Sequence, residues 1–395
     1  MTRFDLPTRR SFLALGAGLS LTMYGGGAFA AGAPMRQKLV LVVARGAMDG
    51  LSLAPPIGDP NYAALRGPIA IPADAVLKLD GTFGLHPKLD GLHRMIQSGQ
   101  ARLAPAVALP QRIRSHFEAQ DLLETGGPRS YALKTGWLNR AVQAIQVAHP
   151  IQAMSLGAQR PLVLTGPIQS QSWSPGRPVN DSAERVAAVL QDLYANDPLL
   201  GPALASGLQT ESMAAGMGTG QPVAPQNVAA LVATAAKFLT APDGPSIAVL
   251  SLDGFDTHAR QGAAEGQLAV RFNTLDQTLT GLQTGLGPAW KDTVVIVATE
   301  FGRTARINGT QGTDHGTASA LVLAGGAVKP GGMIGDWPTL ADNKLFENRD
   351  LAPTLDVRSV FKGVLADHMG LDRSVLETAV FPESADAPAA KGLVA

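Results

Sequence analysis

Six short runs of consecutive apolar, largely β-branched residues punctuate the chain, at 38–45, 102–109, 161–165, 246–252, 293–299 and 320–323. Each ends in glycine or polar residues, so each reads as a strand buried on both faces. Apolar positions at helical spacing lie between them, over about 87–98, 115–124, 137–148, 181–195, 228–239, 263–286 and 352–369. Strands alternating with helices predict an α/β protein whose mostly parallel sheet is covered on both sides. In such sheets ligands sit beyond the carboxyl ends of the strands. Polar residues just after each strand are therefore where chemistry is to be sought.

The two ends of the chain have a different texture. Thr8-Arg9-Arg10-Ser11-Phe12-Leu13-Ala14 is a twin-arginine pattern followed by an apolar run to Tyr24, and Ala28-Phe29-Ala30 fits a small-residue cleavage site. The run is about a dozen residues, short of the roughly 20 that span a bilayer. Residues 1–30 are thus expected to be a cleaved twin-arginine (Tat) signal, leaving a mature protein in the periplasm or secreted, with no membrane span. The stretch 214–226, rich in Gly, Met and Pro, reads as a loop. Residues 31–381 are expected to form one α/β domain, and the Ala-, Ser- and Asp-rich tail 382–395 to be disordered.

Composition narrows the chemistry. There is no cysteine among 395 residues, which removes disulfides, thiolate metal sites and cysteine nucleophiles and leaves Asp, Glu, His, Ser and Arg. Basic and acidic side chains number 32 each; the signal holds three of the basic ones and one acidic, so residues 31–395 carry 29 and 31. That near balance gives no reason to expect nucleic acid as a partner.

Four polar clusters stand beyond the expected strands. After the first comes Arg45-Gly46-Ala47-Met48-Asp49-Gly50, where Asp49 is either a turn residue or a metal ligand. Next is Arg114-Ser115-His116-Phe117-Glu118. Ser115 and Glu118 have capping-box spacing, and Ser115 is equally placed as a hydroxyl nucleophile at a helix start, with His116 as base or ligand. Asp256-Thr257-His258 puts a carboxylate and an imidazole on one side of an extended segment, a pairing suited to zinc, manganese or iron or to a plain hydrogen bond. Finally Glu300-Phe301-Gly302-Arg303 ends an apolar strand and is followed by Asp314-His315; an unpaired carboxylate there is costly, and Arg303 can neutralise it or bind an anion. Three of the seven histidines lie in these clusters. His86 reads as a cap or site-edge residue, and His93, His149 and His368 as surface or packing residues.

These motifs, together with Phe83-Gly84-Leu85-His86-Pro87 and Asp356-Val357-Arg358-Ser359-Val360, run in an order that resembles the "domain of unknown function 1501" family of usually Tat-exported bacterial proteins. That family is itself similar to the alkaline phosphatase and sulfatase superfamily. The resemblance implies a three-layer α/β/α fold with metal ligands and a nucleophile at the strand ends. It implies Asp49, Asp256, His258, Asp314 and His315 as ligands of one or two divalent ions (Zn, Mn, Ca or Mg, or none if the fold alone is kept). Ser115 takes the nucleophile's place beside His116, Glu300 is a ligand or base, and Arg303 holds an anionic group. Asp256 and His258 are closer-spaced than the superfamily's Asp-x-x-x-His, and Phe301 follows Glu300 where a His is usual. The implied activity is hydrolysis of a small phosphate or sulfate ester; the rival is a non-catalytic cell-envelope binding or assembly protein of the same fold.

Overall fold

In a computed structural model, which describes residues 35–146, 151–157, 160–174, 190–191, 193–194, 197, 200–216 and 228–395, the apolar runs pair into one eight-stranded sheet. The leader 1–30, most of the pattern 181–195, most of 214–226, residues 147–148 and His149 lie outside the described residues. The strands are β1 (Lys38–Ala44), β4 (Ala101–Ala108), β5 (Ala153–Leu156), β6 (Gln171–Trp173), β7 (Ile247–Leu252), β8 (Thr293–Ala298), β9 (Ser319–Ala324) and β10 (Leu355–Asp356), while β2 (Leu77–Lys78) and β3 (Gly84–Leu85) form a separate antiparallel pair. The sheet order is β10-β4-β9-β8-β1-β7-β5-β6.

β1 shows why the pattern reads as it does. Its pairing is parallel to both β7 and β8, and Leu39, Leu41 and Val43 enter one core while Val40, Val42 and Ala44 enter the other. The first core also takes side chains from α1 (His116–Thr125), α2 (Trp137–Ile145) and α3 (Val357–Asp367), and the second from the helices Asp90–Gln97, Val228–Thr240 and Gln267–Leu286. A strand with a core on each side has no position for a polar residue. The result is the expected three-layer α/β/α architecture.

β9 alone runs against its neighbours, pairing antiparallel with β4 and β8. Its amino end therefore lies at the edge where β1, β4, β7 and β8 end, so the segment before β9 reaches the same edge as the segments after the other four. That reversal is the topological condition for a site built from residues near 116, 256, 300 and 315. Among the described residues no helix is long and apolar enough to cross a membrane.

Three local expectations are corrected. The run 161–165 is no strand but a 3-10 turn, Leu162–Leu164. Glu124 accepts the Val163 N–H at 3.0 Å and Asn139 donates to the Leu164 carbonyl at 3.0 Å, so side chains satisfy a backbone that a sheet would otherwise satisfy. β5 and β6 flank it. Ser115 stands at the N-cap of α1 but its side chain makes no cap hydrogen bond, so no capping box forms. The tail 382–395 is packed, not disordered: Ser384, Ala387, Leu393 and Val394 are buried. The Leu393 carbonyl accepts from the Lys329 N–H at 2.9 Å, Arg102 donates to the Gly392 carbonyl at 2.9 Å, and buried Lys362 donates to the Ser384 carbonyl at 2.8 Å. Small-residue composition hides a segment held by its backbone and a few apolar anchors.

Deleting 382–395 should therefore destabilise the protein by about 3 kcal/mol or more, from two lost apolar anchors and the lost hydrogen bonds of the Lys362 ammonium to Ser384. Denaturant unfolding of the truncated chain checks this; an unchanged midpoint would mean that the tail contributes nothing.

Candidate metal centre

Three imidazoles meet at the carboxyl edge of the sheet. His116 opens α1 after β4, His258 follows β7, and His315 precedes β9. His315 Nε2 lies 3.1 Å from His116 Nε2 and 3.0 Å from His258 Nε2. Asp256 joins them: Oδ1 is 3.0 Å from His258 Nε2 and 3.2 Å from His315 Nε2, and Oδ2 is 3.4 Å from His116 Nε2. His116, Asp256 and His315 form a group whose ligand atoms lie within 4.8 Å of one another.

The far side of each ring is tied off. His116 Nδ1 sits 2.9 Å from Glu300 Oε1, His315 Nδ1 is 2.8 Å from the Arg114 carbonyl, and His258 Nδ1 is 3.3 Å from Asp314 Oδ1. A carbonyl or carboxylate only accepts, so Nδ1 donates in each ring; where a ring carries no second proton its Nε2 then has a lone pair directed at the centre, and where it does that proton faces Asp256. Lone pairs facing each other at 3 Å repel unless a cation stands between them. A proton serves one pair: the hydrogen bond to Glu300 raises the pKa of His116 against the opposing effect of burial, while burial lowers that of His315. Three nitrogens and a carboxylate together match a metal ion. A tetrahedral site with bonds of about 2.0–2.1 Å has ligand-to-ligand edges of about 3.3 Å; the contacts of His315 and Asp256 with the other ligands run from 3.0 to 3.4 Å, while His258 stands outside the three residues whose ligand atoms all lie within 4.8 Å of one another.

Behind these ligands Glu300 and Arg303 are buried, while Asp314 is exposed. Glu300 is 0% exposed, and burial opposes its charge. Hydrogen bonds from His116, from its own and the Gly46 backbone N–H, and from Gln120 outweigh that and hold its carboxyl below the usual range. It is thus fully engaged in orienting His116. Burial likewise opposes the charge of Asp256, but Arg303, which donates to Oδ1 at 2.5 Å, outweighs it and lowers the pKa. Arg303 is 1% exposed; its Nε donates to Thr313 Oγ1 at 3.1 Å and another nitrogen to the Thr313 carbonyl. Its guanidinium faces Asp256 and Thr313, away from solvent. Asn308 donates to Asp314 at 3.0 Å and is the first cause of that carboxyl's lowered pKa.

Close backbone approach makes the centre possible. Gly46 has φ +107°, and a Cβ there would stand 2.6 Å from the Asp256 nitrogen. A Cβ on Gly312 would be 2.3 Å from the His258 carbonyl. Only glycine lets these turns touch.

Of the sequence candidates, His116, Asp256, His258, Glu300, Arg303, Asp314 and His315 come together, with Ser115 one residue from His116. Asp49 does not reach the imidazoles. It is buried, ion-paired with Arg66, and accepts from the Leu51 N–H at 3.1 Å, Ser52 Oγ at 2.9 Å and Gln261 Nε2 at 2.6 Å. Its carboxylate is spent inside the fold. His86 is also apart: fully buried, with Nε2 2.9 Å from the Ala263 carbonyl. Arg66, Gln120 and Gln261 carry much of the supporting network and had no local signal, since their partners are distant in sequence.

The architecture and the position of this centre define a three-layer α/β/α protein with its polar site at the carboxyl edge. Residues 36–380 match the model of the family described as "Protein of unknown function (DUF1501)", and the chain belongs to that family. No curated protein sequence matches the chain. Among solved structures, the zinc complex of the C-terminal periplasmic domain of EcEptC from Escherichia coli aligns at TM-score 0.42 and 9% identity, covering 90% of this chain and 88% of that one. A protein in the alkaline phosphatase superfamily from Vibrio parahaemolyticus aligns at TM-score 0.34 and 12% identity, over 84% of this chain and 72% of that one. Phosphonoacetate hydrolase from Sinorhizobium meliloti 1021, with phosphonoacetate, aligns at TM-score 0.33 and 14% identity over 68% and 57%.

Two expectations follow for the buried ionisable groups. Arg66→Met strands the Asp49 carboxylate and should cost about 3–5 kcal/mol, with part recovered by adding Asp49→Asn; equal midpoints for the single and double variants would show that the pair does not act as one. Burial pushes the His86 imidazole down to about 4. The unfolded chain takes up this proton near pH 6.5 and the folded one only near 4, so stability should fall between those values by up to roughly 3 kcal/mol and be level above them. His86→Gln should flatten that slope in thermal unfolding measured across the same range.

Proposed function

We propose that this protein is an exported, metal-dependent hydrolase of small phosphate or sulfate esters, with one divalent ion at the His116–Asp256–His258–His315 centre. The observation that carries the reading is the convergence of three imidazole Nε2 atoms whose Nδ1 sides are each committed to an oxygen acceptor. Metal-binding histidines characteristically have their other nitrogen fixed in this way. Three nitrogens and one carboxylate suit zinc better than calcium or magnesium, which take mainly oxygen. The twin-arginine leader supports export through the Tat pathway to the periplasm or beyond.

When bound, the ion supplies a Lewis acid that lowers the pKa of water and neutralises an anionic ester oxygen. The chain's own residues do the rest. His116, His258, His315 and Asp256 bind; Glu300, Asp314 and the Arg114 carbonyl orient them. Arg303 holds Asp256 in place, not the substrate anion. Ser115, at the start of α1 with its hydroxyl unused for capping, is the candidate nucleophile, with the free N–H groups of that helix end to favour developing negative charge.

Metal analysis of the purified chain should find close to one equivalent of zinc. His315→Ala should weaken zinc retention and lower turnover of aryl phosphate or aryl sulfate esters by about 100-fold or more, whereas Ser115→Ala should lower turnover and leave zinc in place. If no ester is turned over while zinc remains stoichiometric, the protein is the non-catalytic binding member of the fold. If no ion is retained, the metal reading itself fails.

A further inference from the structure

Gln261 is 0% exposed and lies three residues beyond His258, in neither a strand nor a helix. Every polar atom of its carboxamide is in use. Oε1 accepts from Thr257 Oγ1 at 2.9 Å and from Thr313 Oγ1 at 2.7 Å. Nε2 donates to Asp49 Oδ2 at 2.6 Å and to Ser52 Oγ at 3.3 Å. Thr257 sits between Asp256 and His258, and Thr313 sits two residues before His315. Backbone bonds reinforce the arrangement: the Gln261 N–H donates to the Gln311 carbonyl at 2.9 Å and the Thr313 N–H to the Thr257 carbonyl at 3.2 Å. Thr313 Oγ1 in turn accepts from Arg303, whose guanidinium holds Asp256.

We infer that Gln261 is the positioning residue of the centre: one buried amide that sets the distance between the turn carrying Asp256 and His258 and the turn carrying His315. The inference rests on the metal-binding reading above. The Asp49–Arg66 pair is the fixed point to which the amide is anchored, so the carboxylate that does not bind the ion still determines where the ligands stand. The chemistry of the side chain is specific. Its NH₂ must give hydrogens to an ionised carboxylate while its oxygen takes two hydroxyl hydrogens, and only a carboxamide does both. A glutamate there would face Asp49 with a second negative charge, and a methionine would leave two threonine hydroxyls and Asp49 short of partners.

The test uses the full mature chain loaded with cobalt(II) in place of zinc, and zinc affinity by chelator competition. The wild-type protein should give the intense visible absorption of a four-coordinate cobalt site. Gln261→Met should weaken zinc binding by about 10- to 100-fold, as loss of a supporting partner does, and should shift or reduce the cobalt absorption. Thr257→Val and Thr313→Val each remove one arm while keeping side-chain shape, and should each weaken zinc binding by a smaller factor; these decide the matter if Gln261→Met does not fold. Unchanged zinc affinity and an unchanged cobalt spectrum in folded Gln261→Met, or in both threonine variants, would overturn the inference while leaving the metal site standing. Absence of a cobalt spectrum in the wild-type protein would instead overturn the metal reading.

Discussion

His116 Nε2 and His315 Nε2 face each other across 3.1 Å because the Nδ1 side of each ring is already committed, one to Glu300 and the other to the Arg114 carbonyl. Neither ring can turn without breaking a partly buried hydrogen bond. Two unprotonated nitrogens at that distance repel, and a shared proton or a bound cation relieves the repulsion. Much of the surrounding structure serves this constraint. Glu300 must stay ionised in a buried place, so backbone and amide donors surround it. Asp256 must approach three imidazoles, so Gly46 and Arg303 hold it from behind.

Two arginines fully buried in the same region have complementary tasks. Arg303 neutralises a carboxylate that faces the centre, and Arg66 neutralises Asp49, which does not. A buried ion pair is no strong source of stability, because desolvation offsets the attraction. What such pairs provide is fixed direction, since a misplaced partner leaves a charge uncompensated. Gln261 and Thr313 join the two pairs into one continuous network running from the first strand to the turn before the ninth.

The layered fold was readable because β1, β7, β8 and β9 are buried on both faces and so carry nearly unbroken apolar runs. β5 and β6 were not, being four and three residues long with serine and glutamine among them. The run at 161–165 misled because apolar burial does not distinguish a strand from a turn whose backbone is bonded by Glu124 and Asn139. At the site, residue types were legible: polar side chains directly after apolar strands had to be doing something. Pairings were not. Asp49 looked like a ligand because its arginine lies 17 residues away, with nothing nearby in sequence to suggest the contact. The part played by Gln261 depends on a partner 212 positions distant.

The central place of β1 has a consequence for how the chain folds. Its two neighbours in the sheet begin at residues 247 and 293, and two of the imidazoles lie 199 positions apart. Loops of that length are closed late, and folds dominated by such contacts form slowly. The four residues of the centre come from segments beside β4, β7 and β9, so they meet only through pairings between stretches distant in sequence. An ion bound there, as the proposed function has it, would draw the folded state out of the folding equilibrium in proportion to the free ion concentration. Such an ion would mark the molecules in which those distant segments have met, and its supply would govern how many remain so.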